Sequence, residues 1–171
     1  MHRIQRPSLI IVLSLIMIGG YGINVQAQIA KQGAPRGVVG FYGNGTTQEY
    51  APDMVVWTGK FFGQSVTESG QGPLHDSAWD CTGEMVIRSG KIVVTADGFC
   101  AVTDQDGDKI NLRWDTDDPQ ATPAKIKTKG TYLSGSGKYA GIQGSYSFMC
   151  RAVADTSHYI CEMIGGDYRL P

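Results

Sequence analysis

The sequence predicts an all-β fold in which seven or eight antiparallel strands close into a small barrel. Short β-prone runs alternate with turn residues along the 171-residue chain, and no long segment shows the period of a helix. The chain holds 23 glycines without a collagen-like repeat, and a small closing barrel needs such residues at its bends and bulges. Closure would also remove exposed sheet edges. A two-sheet β-sandwich is the alternative arrangement of the same strands.

Residues 1–27 have the pattern of a signal peptide. Basic residues precede the apolar run Leu9–Ile18, and Val25-Gln26-Ala27 places small residues where a signal peptidase cleaves. A membrane-spanning helix needs about 20 apolar residues, which is more than this run supplies. We therefore predict an exported protein, periplasmic or extracellular, with no stable membrane insertion after cleavage. A retained N-terminal anchor is the alternative.

A flexible lead-in is expected over residues 28–37, followed by one barrel domain over residues 38–171. Each predicted strand is a run rich in β-branched and aromatic residues, bounded by Gly, Pro, Asp or Ser. After a first stretch that begins at Val38, these runs are Met54–Thr67, Trp79–Ile87, Lys91–Asp104, Lys109–Asp115, Lys125–Leu133, Gly144–Val153 and His158–Tyr168.

A strict alternation marks one of these strands as half-buried. Lys125, Lys127 and Lys129 share one face, and Ile126 and Thr128 share the other. We interpret the lysines as a solvated outer face, with a phosphate-binding patch as the alternative. The formal net charge of −1 argues against a chain-wide electrostatic contact with nucleic acid.

Four cysteines follow the predicted signal peptide, and an even number in an oxidising compartment indicates two disulfides. Among the three possible connectivities we favour Cys81–Cys100 and Cys150–Cys161, because each pair flanks one turn and would link one hairpin. No Cys-x-x-Cys spacing occurs, which argues against a zinc site and against thioredoxin-type chemistry.

Three carboxylates at alternate positions, Asp104, Asp106 and Asp108, raise the question of a calcium site. The glycine that a calcium loop requires at its sixth position is absent, since Lys109 stands there and Gly107 is the fourth residue. Asp-Gly between two strands is the usual signal for a hairpin turn. We therefore predict a turn and no metal.

Candidate catalytic residues are the strand carboxylates Glu84 and Glu162 together with Arg151. If Cys150 lies opposite Cys161, Arg151 and Glu162 share one face and lie within reach of each other. They form either an ion pair on the outer surface or an interior acid with its counter-ion. No nucleophile elbow and no dinucleotide-binding glycine pattern occurs, so no cofactor is predicted.

The most distinctive stretch is a glycine-rich turn between the lysine-bearing strand and the strand that begins at Gly144. Gly135, Gly137 and Gly141 permit a positive φ, and Tyr139 and Ile142 are placed to fold back and close one end of a barrel.

This stretch resembles the turn of the plant allene oxide cyclase and dirigent barrels. It is also similar to a group of small exported bacterial proteins of uncharacterised function, through Gly98-Phe99-Cys100, the run from Asp104 to Lys109 and the run from Gly137 to Gly144. The resemblance covers roughly residues 80–150 and implies an eight-stranded barrel with an interior cavity. No plant catalytic residue can be placed on this chain, so cyclase activity is not carried over.

Three functions fit these observations. The barrel pattern and the tryptophans Trp57, Trp79 and Trp114 favour an exported barrel that binds a small, largely apolar molecule. An isomerase, cyclase or lyase in the same cavity would use Glu84, Arg151 and Glu162 to move protons. The third is a non-catalytic interaction module of the cell envelope. An apolar interior wall would favour the first, an inward glutamate the second, and a barrel filled by side chains the third.

Overall fold

The computed structural model of the protein describes residues 29–116, 118, 120–154 and 156–171, so the predicted signal peptide lies outside the described residues. The described chain forms nine strands and one short 3₁₀ turn. In chain order these are β1 (Gln32–Gly33), β2 (Gly37–Ala51), β3 (Met54–Thr67), β4 (Ser77–Arg88), β5 (Lys91–Asp104), β6 (Lys109–Asp115), β7 (Lys125–Gly135), the 3₁₀ turn (Gly137–Tyr139), β8 (Gln143–Ala152) and β9 (His158–Arg169).

Strands β2 to β9 form a closed barrel. Each pairs antiparallel with the next along the chain, and β9 pairs back onto β2. The predicted closed barrel is therefore confirmed, with eight strands. The short strand β1, which lies within the predicted lead-in, adds to the barrel by pairing Gln32 and Gly33 with Arg169 and Tyr168 of β9.

Alternation of buried and exposed residues, clearest in β4, β6 and β7, places the core inside the barrel. In β7 the side chains of Lys125, Lys127 and Lys129 are exposed, whereas Ile126 and Thr128 are buried. The lysine face is thus an outer face, as the alternation predicts. The largest fully buried side chains of the described chain are Tyr139, Tyr146, Leu74, Ile110, Leu112, Val39 and Val102.

Two disulfides link neighbouring strands from inside the barrel. Cys81 of β4 is bonded to Cys100 of β5, and Cys150 of β8 is bonded to Cys161 of β9, which confirms the predicted pairing. The members of each pair lie directly opposite each other in the register, and all four residues are buried. Because β4–β5 and β8–β9 are on opposite sides of the eight-stranded ring, the disulfides link two separate hairpins.

The presence of two disulfides indicates folding in an oxidising, exported environment. In the part of the chain that the structure describes, no helix is long and apolar enough to cross a membrane.

A cross-strand row of glycines explains part of the high glycine content. Following the register from strand to strand gives Gly45, Gly59, Gly83, Gly98, Trp114, Gly130, Tyr146 and Gly166. A Cβ atom at Gly130 would overlap the Tyr146 ring, and one at Gly83 would overlap the Trp114 ring. The missing side chains therefore make room for large aromatic rings inside a narrow barrel.

The two ends of the barrel differ. We call the end that holds the 3₁₀ turn and the β3–β4 and β5–β6 connections the sealed end. The opposite end, which holds the β2–β3, β4–β5, β6–β7 and β8–β9 connections, is called the open end.

Candidate functional site

A plug formed by residues 136–142 closes the sealed end. Tyr139 is 2% exposed and Ile142 3% exposed, so both side chains are buried. Gly137 and Gly141 adopt positive φ values of 52° and 78°, as the reversal of the chain requires. Gly135 approaches the backbone of Tyr139 so closely that a Cβ there would overlap it.

The turn between β5 and β6 holds this plug through Lys138. The Lys138 Nζ atom lies 2.7 Å from Asp104 Oδ2 and also contacts Asp106 Oδ2. The backbone N–H of Lys138 donates to Asp108 Oδ2 at 3.1 Å. We call these contacts the latch. It joins two runs that are distant in sequence, Asp104 to Lys109 and Gly137 to Gly144.

Asp104 is central to both the turn and the latch. Its Oδ1 atom accepts hydrogen bonds from the backbone N–H groups of Asp106 and Asp108, which form the predicted turn. Burial raises the pKa of Asp104, but hydrogen bonds from Lys138 and Tyr139 outweigh this effect, so its pKa lies below the usual value. Burial lowers the pKa of Lys138, whereas its hydrogen bonds to Asp104 and Asp106 raise it, and the net shift is upward. Because its Nζ atom contacts both Asp104 and Asp106, the Lys138 ammonium lies where a calcium ion bound by these two carboxylates would lie.

The open end leads into an apolar cavity of about 70 Å³. Its wall contains both disulfides and a set of aromatic side chains, and no charged side chain is among the described residues that line it. The lining residues are Phe41, Phe61, Trp79, Cys81, Met85, Cys100, Trp114, Pro123, Ile126, Thr128, Tyr146, Phe148, Cys150, Tyr159 and Cys161.

Phe61 is the central ring of this cavity. Its centroid lies 4.9 Å from that of Trp57, 5.9 Å from Tyr159, 6.2 Å from Trp114 and 6.4 Å from Phe41. All but the Trp57 contact are edge-to-face, the geometry that aromatic quadrupoles favour. Phe61 is partly exposed, so it stands between the cavity and solvent.

Two buried tryptophans of the cavity wall differ in their hydrogen bonding. Trp79 Nε1 donates to Ser65 Oγ at 2.8 Å, and Ser65 Oγ donates in turn to the Leu74 carbonyl oxygen. Trp114 Nε1 is buried without a hydrogen-bond partner among the described residues.

The candidate catalytic residues lie on the outer surface. Arg151 Nη1 is 2.9 Å from Glu162 Oε1, and these side chains are 54% and 52% exposed. They form the outer ion pair, one of the two arrangements that the sequence left open. Glu84 is exposed on β4, opposite Thr58 and Asp97 in the register. The structure therefore does not bring Glu84, Arg151 and Glu162 into the cavity.

Sequence reasoning missed Phe41, Phe61 and Tyr159 as cavity residues. The cysteines carry the signal that could have found some of them, because disulfide cysteines in a small exported domain are usually buried. Residues two positions from an inward cysteine face inward too, which places Tyr159 and Trp79 inside. The same rule places Arg151 and Glu162 outside.

The described residues define a small, disulfide-linked closed β-barrel with a sealed end and an apolar cavity. No protein-family model, curated protein or solved structure matches the chain.

Proposed function

We propose that the protein binds a small, uncharged, largely apolar molecule in the cavity at the open end. The observation that carries this proposal is the composition of the wall, which is made mainly of aromatic rings, aliphatic side chains and two disulfides, with Met85 and the hydroxyl-bearing Thr128. A charged ligand would lose its hydration there without gaining a partner of opposite charge, and that loss is costly. Apolar contact with a few rings is what such a wall offers a ligand.

The empty cavity is too small for a ring-sized ligand unless a side chain moves. A volume of 70 Å³ is smaller than the roughly 150 Å³ of an engineered cavity that binds benzene. We therefore expect entry to displace Phe61, which is partly exposed and in contact with other rings on several sides. The ligand then replaces the edge-to-face contacts that Phe61 makes. The plug blocks passage through the other end.

Binding without chemistry is the form of the proposal that the site favours. The side chains suggested for proton transfer lie on the outer surface, and the ring hydroxyls inside the barrel are poor acids. Burial raises the pKa of Tyr146 and that of Tyr159 above the usual value. The resemblance to allene oxide cyclase and dirigent barrels supports a barrel with an interior cavity, and no activity is inferred from it.

Titration with toluene, followed in NMR spectra of the methionine methyl groups, tests the proposal. We expect saturable shifts at Met85, which lines the cavity. Ile126→Phe adds volume to the cavity wall and should weaken toluene binding about tenfold or more, equivalent to about 1.4 kcal/mol. Ile160→Phe makes the same change on the outer face, where Ile160 is 51% exposed, and should leave binding unchanged. Shifts that do not saturate, or equal effects of the two variants, would contradict the proposal.

A further inference from the structure

The indole N–H of Trp114 is a hydrogen-bond donor that the fold leaves unused. Trp114 is 8% exposed, lines the cavity and packs its six-membered ring against Gly83. In the described part of the chain its Nε1 atom has no acceptor. Trp79 lines the same cavity, but its Nε1 atom is satisfied by Ser65.

An unpaired buried donor is costly, by about 1–3 kcal/mol, and most buried polar groups have a partner. An ordered water needs two to four polar partners, and the cavity wall to which Trp114 belongs is mainly aromatic and sulfur-containing. A ligand that carries an acceptor would remove the cost without needing further polar groups. Because an indole can only donate, the ligand atom opposite Trp114 has to be an acceptor.

We propose that Trp114 Nε1 is a ligand-recognition donor, and that the cavity takes uncharged, ring-sized molecules with a single carbonyl acceptor, such as aromatic ketones. This inference rests on the proposed function, since it names the class of ligand for the same cavity. The ring of the ligand takes the apolar wall around Phe61, and its carbonyl oxygen accepts from Trp114. The Trp114 donor thus favours molecules with a carbonyl oxygen over apolar molecules of the same size that lack one.

Cumene and acetophenone provide the test, because they have the same number of non-hydrogen atoms and acetophenone alone carries a carbonyl oxygen. In ¹H–¹⁵N spectra of the unmodified protein, the three indole N–H signals report on Trp57, Trp79 and Trp114. We expect acetophenone to move the Trp114 N–H signal downfield and cumene not to do so. The Trp79 signal should not move downfield with either compound, because its proton is already in a hydrogen bond.

Two variants give an independent measure. Trp114→Phe should lower the affinity for acetophenone relative to cumene by about tenfold, the value of one hydrogen bond of about 1.4 kcal/mol. Trp79→Phe should leave that ratio unchanged. If Trp114→Phe does not fold, the downfield shift in the unmodified protein still decides the question.

The outcomes separate the two proposals. If neither compound binds in the cavity, the proposed function fails and this inference fails with it. If both bind but the Trp114 signal does not move downfield with acetophenone, the donor role is overturned and apolar binding stands. The same holds if a bound water already occupies Trp114 Nε1 and remains there when acetophenone is bound.

Discussion

The two ends of the barrel are covered by side chains of different chemistry. At the sealed end, Tyr139 is held by the charged and hydrogen-bonded latch of Asp104 and Lys138. At the open end, Phe61 is in contact with four other aromatic rings. A directional contact fixes one position of a side chain, whereas ring contacts are weaker and tolerate rearrangement. The sealed end is therefore part of the folded core, and the open end is where our proposal places ligand entry.

The largest difference between the ends should appear when each covering ring is removed. Tyr139→Ala should lower the free energy of unfolding by about 3 kcal/mol or more, since the ring is almost fully buried. Phe61→Ala should cost about 2 kcal/mol or less, because that ring is already partly exposed. Urea unfolding of both variants measures the difference. Equal losses would show that the two ends are alike.

Two glycines with almost the same backbone conformation allow a sharper comparison. Gly141 in the plug has φ +78° and a Cβ there would lie 2.7 Å from Pro171, whereas Gly90, at the open end, has φ +76° and open space around it. Both Val substitutions force a β-branched residue into the left-handed region, at about 1–2 kcal/mol. Gly141→Val should cost about 1 kcal/mol more than Gly90→Val, because Pro171 has to move as well. Identical unfolding midpoints for the two variants would argue against a tightly packed plug.

The latch should make the stability of the sealed end depend on pH. The folded-state pKa of Asp104 lies below its usual value of 3.8, so its stabilising effect is complete above that value and is lost as the pH falls through the folded-state pKa. The pKa of Lys138 is raised above 10.5, so its contribution is complete below 10.5 and is lost as the pH rises through the folded-state pKa.

Lys138→Met tests this dependence. At neutral pH we expect a loss of about 1–2 kcal/mol, the range for a hydrogen bond to a charged group. The variant should also start to lose stability at a higher pH on acidification, because burial then acts on Asp104 without the lysine. Lys60→Met is the control, since the Lys60–Asp80 pair is about half exposed and should contribute well under about 1 kcal/mol. Acid unfolding curves that are parallel in all three proteins would contradict a role for the latch.

Local patterns predicted the fold, but contacts between distant segments could not be read from them. Alternation in β7 and the symmetry of the cysteines about two turns are short-range signals, and they gave the strands and the disulfides. The latch joins Asp104 to Lys138 across more than thirty positions, and no local pattern pairs them. The cavity residue Phe61 has neighbours on β2, β6 and β9, so its role depends on closure of the whole barrel. Periodicity alone also left open which face of β8 and β9 is inside, and hence the position of Arg151 and Glu162.

The smallest expected effect concerns two phenols on the sealed side of the barrel. The Tyr139 hydroxyl helps to lower the pKa of Asp104, whereas the Tyr132 hydroxyl is buried without a partner in the described part of the chain. Tyr132→Phe should therefore raise the free energy of unfolding by about 1 kcal/mol, because it removes an unsatisfied polar group and keeps the ring. Tyr139→Phe should lower the free energy of unfolding by about 1 kcal/mol, because Asp104 loses a donor.

The stability gained by Tyr132→Phe should become larger above pH 10. Burial raises the pKa of Tyr132 above 10.0, so ionisation of this phenol favours the unfolded chain as the pH rises. Urea unfolding at pH 7 and above pH 10 measures both effects, and a destabilised Tyr132→Phe would mean that the hydroxyl has a partner in solution.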